Sequence, residues 1–443
     1  MRQPALALAF ALLAAACASP GAPPPQAAPM PAPPPPPPSG GETSITASGG
    51  GPRLNPTASQ PVVNPTEGGF QTYLAELRPR MLSAGIAPAT WERAMKGVRL
   101  NRKSIELSSG ASGGMGRIWD YLERVDTLLP RGREAVAANR AALDKAARET
   151  GVDAVAIAGI WGNETSYGNV LGNFYVVEAL ASLAYEGRRR AFFEEELHAA
   201  LTLLQDGLVT REELTGSYAG ALGQVQFMPS NILALGRDGD GDGERDLRGS
   251  LNDAFLSCGN YLRHHGWRPG EPWLAEARLP GGFRWELAGP DIVKTAAEWD
   301  ELGVRTVGGE RISSMVAADA PVSILLPAGY RGVPLVAFEN YRRFLDYNPS
   351  QSYAIAVSHL ANRLDGGGGF AQGWPTDLGG MSAAEMTELQ SLLVAQGYDL
   401  SADGRFGDKT RRAVRAYQLS VGLPADGYPT DALLARLRSE PVS

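Results

Sequence analysis

The chain has 443 residues, enough for two or three globular domains, and 44% of them are apolar, as is typical of a soluble globular protein. Its formal net charge of −7 at pH 7 argues against non-specific binding to nucleic acid. The chain contains two cysteines, Cys17 and Cys258, so at most one intrachain disulfide can form.

The N-terminus has the pattern of an export signal. A short basic start precedes an apolar run from Ala5 to Ala16 that ends in small residues and is shorter than the ~20 residues of a membrane span. Cys17 stands where the lipobox of bacterial lipoproteins has its lipid-bearing cysteine, although Ala14 occupies a position where that motif usually has Leu. We expect a lipoprotein-type signal peptide over residues 1–17 and a lipid on Cys17. Cleavage without lipidation, which releases a soluble periplasmic protein, is the alternative.

Residues 18–68 are dominated by Pro, Gly, Ala and Ser. The run Pro33–Pro38 favours polyproline II, which advances ~3.1 Å per residue. A segment of this composition cannot bury a core, so we expect a tether that lets a lipid-anchored domain reach away from a membrane. A passive disordered leader fits the same composition.

Helical spacing of apolar residues begins at Phe70 and gives way to short strand patterns between Gly and Pro turns after residue 280. The predicted helices are Arg133–Thr150, lying over the apolar element Val152–Trp161, then Val176–Tyr185, Phe192–Leu204 and Asn252–His265. The predicted strands are Gly282–Leu287, Pro321–Leu326 and Val333–Ala337, with helices resuming at Glu339. This order predicts a mainly helical domain that carries a small sheet-containing insertion.

A Gly-rich linker, residues 365–380, precedes a compact unit from Met381 to about Leu437. The unit contains two Asp-Gly turns, Asp403-Gly404 and Asp426-Gly427, each with a Thr a few residues further on where a helix can start. The pattern is similar to the small three-helix peptidoglycan-binding domain at the ends of many cell-wall enzymes. The resemblance implies such a domain over residues 381–440, while most of its apolar residues are expected to form its core.

Glu164 is the first acidic residue after the apolar element, and a turn rich in Gly and hydroxyl groups, Thr165 to Gly168, follows it. A carboxyl group at the edge of apolar packing is disfavoured as an anion, so its pKa rises and it can donate a proton near neutral pH. A solvated surface residue is the ordinary role of a single Glu.

Together with the segment from Gly216 to Ser230, the Glu164 region resembles the membrane-bound lytic transglycosylase B family, which cuts the glycan strands of bacterial cell walls. The resemblance extends from about Phe70 to Trp374 and implies a lysozyme-like catalytic domain over residues 69–375. It implies that Glu164 protonates the glycosidic oxygen between N-acetylmuramic acid and N-acetylglucosamine. The same group then acts as base toward the muramyl 6-hydroxyl, which closes onto C1 and gives a 1,6-anhydro product without consuming water.

That chemistry explains why one carboxylate can suffice, whereas ordinary glycosidases usually pair two. Glu178 and Glu186 are near Glu164 in sequence, and neither matches a catalytic position. The resemblance places Ser217 and Gln226 beside the acid, where a hydroxyl and an amide can fix its rotamer and bind the N-acetyl group. A helix N-cap at Ser217 and a structural amide at Gln226 are the alternatives.

The resemblance also supplies substrate-binding residues. Tyrosine offers the flat apolar face with a polar edge that sugars require, and paired arginines can bind carboxylates of the peptide stem. The tyrosines could equally be core residues and the arginines a solvated helix face. The candidates are Tyr121, Tyr261, Tyr347, Asn348 and Tyr353, with Arg189 and Arg190.

Acidic residues at alternating positions with intervening Gly, from Asp238 to Asp246, are typical of an EF-hand calcium loop. The twelfth position is Gly249 where EF-hands have a bidentate Glu, and Asp253 could complete the shell instead. We expect a weak structural Ca²⁺ site, with sodium, magnesium or a plain acidic loop as alternatives and no cofactor for the chemistry. The candidate ligands are Asp238, Asp240, Asp242, Glu244, Asp246 and Asp253.

The sequence thus predicts a periplasmic lytic transglycosylase, anchored by lipid to the outer membrane of a Gram-negative bacterium, whose partner is the peptidoglycan glycan strand. The alternatives are a hydrolytic muramidase and a non-catalytic peptidoglycan-binding scaffold. The four histidines show no zinc-binding spacing, and no nucleic-acid partner is expected.

Overall fold

The computed structural model describes residues 61–62, 64–110 and 114–440. The predicted signal peptide, the predicted lipidation site Cys17 and most of the predicted linker lie outside these residues.

Helices form the first part of the described chain, as the helical spacing of its apolar residues predicts. They are α1 (Glu67–Ser83), α2 (Pro88–Met95), α3 (Arg102–Gly110), α4 (Ile118–Asp126), α5 (Leu129–Ala138), α6 (Arg140–Thr150), α7 (Ala154–Thr165), α8 (Val176–Glu186), α9 (Arg190–Gln205), α10 (Pro229–Leu235) and α11 (Leu251–His264). A short antiparallel ribbon joins β1 (Phe174–Tyr175) to β2 (Thr215–Gly216).

A small sheet follows. Its strands are β3 (Leu274–Arg278), β4 (Lys294–Thr295), β5 (Arg305–Thr306), β6 (Pro321–Leu325) and β7 (Leu335–Ala337). They pair antiparallel in the order β4–β6–β7–β3–β5, and α12 (Ala296–Glu301) packs its buried Trp299 into the same apolar cluster. The chain then returns to the helical body through α13 (Glu339–Tyr347) and α14 (Gln351–Leu364).

Two predicted elements differ from the structure. The predicted helix over Arg133–Thr150 is two helices, because the Asn139 side chain donates a hydrogen bond to the carbonyl of Ala135 (2.9 Å) and its backbone leaves the helical region. The predicted strand over Gly282–Leu287 is wrong. Gly282 has φ +73°, and short-range turn bonds produce a 3₁₀ turn over Trp285–Leu287.

The C-terminal unit consists of α15 (Ala383–Ala395), α16 (Asp408–Ser420) and α17 (Asp431–Ser439) around an apolar core of its own. The two Asp-Gly turns have equivalent hydrogen bonds, because a buried glutamine amide spans each of them. Gln390 accepts from the N–H of Gly404 (2.8 Å) and donates to Asp403 (3.1 Å). Gln418 accepts from the N–H of Gly427 (2.8 Å) and donates to Asp426 (2.8 Å). The weak sequence repeat therefore corresponds to a structural one.

The predicted fold class is confirmed: the described chain is mainly helical, with a small sheet and a helical C-terminal unit. None of the described helices combines the length and the apolar character that a membrane crossing requires. Cys258 is fully buried in α11 with a free thiol, as expected for a small apolar residue.

Candidate active site

Glu164 lies in the last turn of α7, a helix buried on every side from Ala156 to Thr165. A helix that is apolar all round must lie in the interior, and α7 packs closely against α14. Gly159 permits this approach, since a Cβ at that position would lie 3.1 Å from the carbonyl oxygen of Val357. The sequence thus places its acidic residue at the inner end of a core helix.

A left-handed turn ends α7 directly after the acid. Ser166 and Tyr167 have φ of +50° and +60°, a conformation that costs energy in residues with a side chain. The Thr165 hydroxyl, which accepts from the N–H of Gly168 (3.1 Å), donates to the carbonyl of Gln224 (2.8 Å). The end of the helix is therefore tied to the loop over residues 223–227, the second segment that the sequence analysis singled out.

The Glu164 side chain is almost removed from solvent, with the residue 8% exposed. Burial raises the pKa of its carboxyl group to about 7, and the hydrogen bond donated by Tyr353 opposes part of that rise. The Tyr353 hydroxyl lies 2.5 Å from Oε1 of Glu164. A carboxyl group with a pKa near neutrality can donate a proton and accept one back at the same pH.

Tyr347, Tyr353 and Tyr261 form one aromatic cluster behind the acid. The rings of Tyr347 and Tyr353 are parallel within 7° at 6.4 Å, and Tyr261 meets Tyr347 edge-on at 5.0 Å. Tyr347 donates to the carbonyl of Val225 (2.5 Å), and Tyr261 donates to the carbonyl of Asp346 (2.7 Å). The hydroxyl groups of all three tyrosines thus have protein partners, so these residues hold the site together.

Asn348 lies in the turn between Tyr347 and Tyr353. It is buried, and its side-chain oxygen accepts from the N–H of Ser350 (3.2 Å). Ser350 in turn caps α14 by accepting from the N–H of Tyr353 (3.4 Å). This small network fixes the start of the helix that carries the hydrogen-bond partner of the acid.

Tyr121 reaches the acid from α4. Burial raises the pKa of its hydroxyl, and the negative charge of Glu164 raises it further. The Arg124 guanidinium lies 4.5 Å from the ring centroid, and Asn163 shares a hydrogen bond with the hydroxyl. Tyr121 therefore lies close enough to Glu164 to interact with its charge, and substrate binding by Tyr121 stays a prediction.

Ser217 and Gln226 lie in the loops around the second segment, both half-buried. Ser217 is not a helix N-cap, because no helix begins there; its hydroxyl accepts from the N–H of Ala221 (3.0 Å). Gln226 has φ +50°, and its amide donates to the carbonyl of Gly223 (2.9 Å). The hydrogen bond to Gly223 supports a structural role for the Gln226 amide. Substrate binding by either residue stays a prediction.

The two arginines stand at the start of α9. The Arg189 guanidinium lies over the Phe192 ring at 4.0 Å. Arg190 donates to the carbonyls of Ala184 (3.2 Å) and Tyr185 (3.3 Å), which end α8. For Arg190 these contacts favour a structural role, and stem-peptide binding by the pair remains a prediction.

Gln224 was not predicted from the sequence. Its side chain accepts from the indole N–H of Trp161 (2.9 Å) and donates to the carbonyl of Arg248 (3.1 Å), while its own carbonyl receives the Thr165 hydroxyl. Gly168 faces it so closely that a Cβ there would lie 2.6 Å from Oε1 of Gln224. Two glutamines in one motif were the available signal, and spacing alone does not tell which one binds the helix that carries the acid.

Other acids near the helix have separate roles. Glu178 accepts from the N–H of Arg99 (3.1 Å) and from the Asn101 amide (3.0 Å), and Glu186 pairs with Arg188. Burial raises the pKa of Glu196 to about 7, yet this carboxylate caps α10 through the N–H (3.0 Å) and hydroxyl (2.6 Å) of Ser230.

The acidic loop brings three of the six predicted ligands together. Carboxylate oxygens of Asp238, Asp240 and Asp253 lie within 4.8 Å of one another. Asp238 accepts from the N–H groups of Gly241 (2.6 Å) and Gly243 (2.8 Å), a turn that fixes its carboxylate. Asp253, buried on α11, accepts from the N–H groups of Gly239 (2.8 Å) and Asp246 (2.7 Å).

The remaining three predicted ligands do not join this group. Asp242 accepts from the N–H of Glu244 (2.8 Å), and Asp246 accepts from Arg248 (2.9 Å) and Gly249 (2.8 Å). Glu244 is exposed. Metal binding by any of the six carboxylates stays a prediction, and the geometry favours the three that converge.

Comparison with known proteins identifies both parts of the chain. The family model described as "Transglycosylase SLT domain" matches residues 69–362, and "Putative peptidoglycan binding domain" matches residues 382–437. Membrane-bound lytic murein transglycosylase B of Escherichia coli (strain K12) is 32% identical over 232 residues, which are 50% of this chain and 60% of that protein.

Solved structures agree. SltB3 from Pseudomonas aeruginosa, in complex with NAG-anhNAM-pentapeptide, is 40% identical with a TM-score of 0.79, covering 84% of this chain and 99% of SltB3. The Escherichia coli lytic transglycosylase Slt35, in complex with calcium, is 25% identical with a TM-score of 0.57, covering 68% of this chain and 93% of Slt35.

The buried acid should make protein stability depend on pH. The pKa of Glu164 in the folded protein, about 7, lies above its ordinary value of 4.5. Its stabilising contribution to the free energy of unfolding is therefore fully present below pH 4.5 and is lost as the pH rises through 7. Glu164→Gln removes this loss. In urea unfolding, the difference in unfolding free energy between the variant and wild type should shift by about 3 kcal/mol in favour of the variant as the pH is raised from 4 to 8.5. The exposed Glu76→Gln is the control, and a Glu164→Gln advantage independent of pH would contradict the buried site.

Proposed function

The chain belongs to the lytic transglycosylase family, and we propose that it cleaves the β-1,4 bond between N-acetylmuramic acid and N-acetylglucosamine in peptidoglycan, leaving 1,6-anhydromuramyl ends. One observation carries the proposal: a single carboxyl group, Glu164, is buried at the inner end of a core helix with a pKa of about 7. SltB3, whose structure holds an anhydromuramyl compound, supports this product.

Glu164 serves first as acid and then as base. In its protonated state it donates to the glycosidic oxygen as the bond to C1 breaks. The resulting carboxylate takes the proton of the muramyl 6-hydroxyl while that oxygen attacks C1, so the proton count of the enzyme is restored and no water enters. Tyr353 stabilises the carboxylate between the two steps through its hydrogen bond to Oε1. The chemistry requires no cofactor.

The ionisable neighbours of Glu164 fit a one-carboxylate mechanism. They include Tyr121, Tyr347, Tyr353 and Cys258, all with a pKa raised by burial and therefore neutral at pH 7. Two acids near Glu164 in sequence, Glu178 and Glu186, are bound to other partners. The substrate's own hydroxyl then supplies the attacking oxygen, as a retaining glycosidase would use its second carboxylate.

The polar groups around the acid are proposed to bind the sugar. Tyr121 offers an aromatic face beside Glu164, and Ser217 and Gln226 offer a hydroxyl and an amide from the neighbouring loops. Arg189 could bind a carboxylate of the peptide stem. The C-terminal unit is proposed to hold the glycan strand, in keeping with the family model that it matches.

Action in the periplasm, with a lipid on Cys17 that anchors the protein to the outer membrane, completes the proposal. The membrane-bound E. coli relative and the lipobox-like sequence before Cys17 support it. The alignment spans 60% of that relative.

We also propose a structural Ca²⁺ held by Asp238, Asp240 and Asp253. The donor set suits a hard cation, because it consists of carboxylate oxygens that converge within 4.8 Å while backbone N–H groups hold two of the three carboxylates in place. The calcium complex of Slt35 supports the choice of ion. The ion would stiffen the loop before α11, the helix that also carries Tyr261 and Cys258.

The proposed reaction is tested on purified peptidoglycan sacculi with products identified by mass spectrometry. Wild type is expected to release anhydro muropeptides, which are lighter by one water than hydrolysed ones. Glu164→Gln should lower the rate by at least about 100-fold, because it removes the acid–base group, whereas Glu76→Gln should not. Hydrolysed products from wild type would indicate a muramidase, and an active Glu164→Gln variant would indicate that another group carries the chemistry.

The metal proposal is tested by thermal unfolding in 1 mM CaCl₂ and in EGTA. Calcium should stabilise wild type by about 1 kcal/mol, the value for a weak site near saturation. Asp240→Asn should abolish this stabilisation, while Asp242→Asn, outside the cluster, should retain it. No effect of calcium on wild type, or equal losses in both variants, would refute the three-ligand site.

A further inference from the structure

The C-terminal unit contacts the helices that carry the active-site tyrosines. Arg411, on α16, is buried, and its Nη2 donates to Oε1 of Gln351 (3.0 Å). Gln351 is the first residue of α14, and Tyr341 of α13 lies close enough for Arg411 to affect the pKa of its hydroxyl. Arg411 therefore contacts the start of α14 directly and lies near α13.

A short path joins this contact to the acid. Gln351 follows the cap residue Ser350, which holds the N–H of Tyr353, and the Tyr353 hydroxyl donates to Glu164 at 2.5 Å. Gln351 and Tyr353 belong to the same first helical turn, so a shift of one moves the other. The residue that contacts the C-terminal unit, Gln351, and the residue that donates to Glu164, Tyr353, are thus two positions apart in α14.

Other contacts fix where Arg411 stands. Arg415, one turn further along α16, donates to the carbonyl of Ala288 (2.8 Å). Asp426 accepts from the N–H of Tyr330 (2.8 Å), and backbone bonds join Met115 to Met381. Because these contacts span several elements, the C-terminal unit is docked in a defined position from which Arg411 can act.

The contact itself is closely specified. The guanidinium lies 4.7 Å from the Phe406 ring centroid, within its own unit. Nε of Arg411 and Nε2 of Gln351 are buried and have no hydrogen-bond partner among the described residues, so the bond from Nη2 to Oε1 is the polar contact that joins the two side chains. A buried polar group cannot replace a lost partner with water. Loss of the Arg411–Gln351 bond would therefore leave the guanidinium and the amide oxygen without a hydrogen bond, which favours rearrangement of the start of α14.

We propose that Arg411 is a positioning residue for the reaction: the C-terminal unit, through Arg411 and Gln351, holds Tyr353 in hydrogen-bonding position on Glu164. The inference rests on the proposed function, and it gives the peptidoglycan-binding unit a part in the chemistry in addition to strand binding. Arg411 does not touch the reacting atoms and acts through α14.

The expected effect on pH dependence has a definite sign. The Tyr353 hydrogen bond lowers the pKa of Glu164. Ionisable groups of the described residues that interact with the acid include Tyr121 of α4, Cys258 of α11 and Tyr347 of α13, all neutral at pH 7. If Tyr353 moves away, burial acts unopposed and the pKa rises. The acid then stays protonated to higher pH, while its conjugate base is less well stabilised.

The test measures kcat, KM and the pH profile of kcat/KM on a soluble murein tetrasaccharide. Arg411→Gln should lower kcat about tenfold and move the alkaline limb upward by about half a pH unit. Gln351→Ala, which breaks the same contact from the catalytic side, should do the same and leaves the contacts of Arg415 and Asp426 intact. In a Tyr353→Phe background neither change should lower kcat further.

Arg412→Gln is the matched control, since Arg412 neighbours Arg411 on α16 but is exposed. The inference would be overturned if Arg411→Gln and Gln351→Ala both kept the wild-type kcat and the wild-type alkaline limb of the pH profile. A change in KM alone would also overturn it, because that is the effect expected of a residue that only binds the glycan strand. Further loss of kcat in the Tyr353→Phe background would also overturn it. If wild type itself gave no anhydro product, the proposed function would fail instead.

Discussion

The burial of one carboxyl group at the end of a core helix is the constraint on which the site depends. Removing Glu164 from water disfavours its charged form. The Tyr353 hydroxyl, 2.5 Å from Oε1 of Glu164, stabilises the carboxylate in part through its hydrogen bond. The balance places the pKa at about 7, where one group can serve both as acid and as base. More exposure would leave the group ionised before it could donate, and loss of the tyrosine would leave its conjugate base unsupported.

Separate parts of the chain hold this balance in place. The left-handed backbone at Ser166, Tyr167 and Gln226 lies on the two segments that meet at the acid, and Gln224 binds these segments together. Residues with side chains persist in that conformation only where their surroundings enforce it. The tyrosine cluster closes the site from α13 and α14, and the C-terminal unit contacts the start of α14. The surroundings of the acid thus depend on packing across most of the described chain.

Much of this could be predicted from sequence, for identifiable physical reasons. The apolar run before Glu164 indicated a buried helix, and the burial of its acid followed from the same pattern. Strands β6 and β7 were visible as apolar segments between Gly and Pro turns. The break at Asn139 and the 3₁₀ turn at Trp285 were not visible, because each depends on a local hydrogen bond that competes with regular structure. Family resemblance proposed the tyrosines, but only the fold shows that Tyr353 binds the acid.

Contacts between residues far apart in sequence could not be predicted. Gln224 is 63 residues from its partner Trp161, and Arg411 is 60 residues from Gln351. No spacing rule links such pairs. In the acidic loop the alternating pattern does not reveal which carboxylates converge: Asp238 and Asp240 meet Asp253, whereas Asp242 and Asp246 accept from N–H groups of their own turns.

The most direct test of the account is the ionisation of Glu164 itself. Carbon-13 NMR of protein labelled at the glutamate side-chain carboxyl, with the signal assigned by its absence in Glu164→Gln, gives the pKa in the folded protein. The account predicts a midpoint near 7 that rises in Tyr353→Phe. A midpoint near the ordinary value of 4.5, or one that does not respond to loss of the tyrosine hydroxyl, would contradict it.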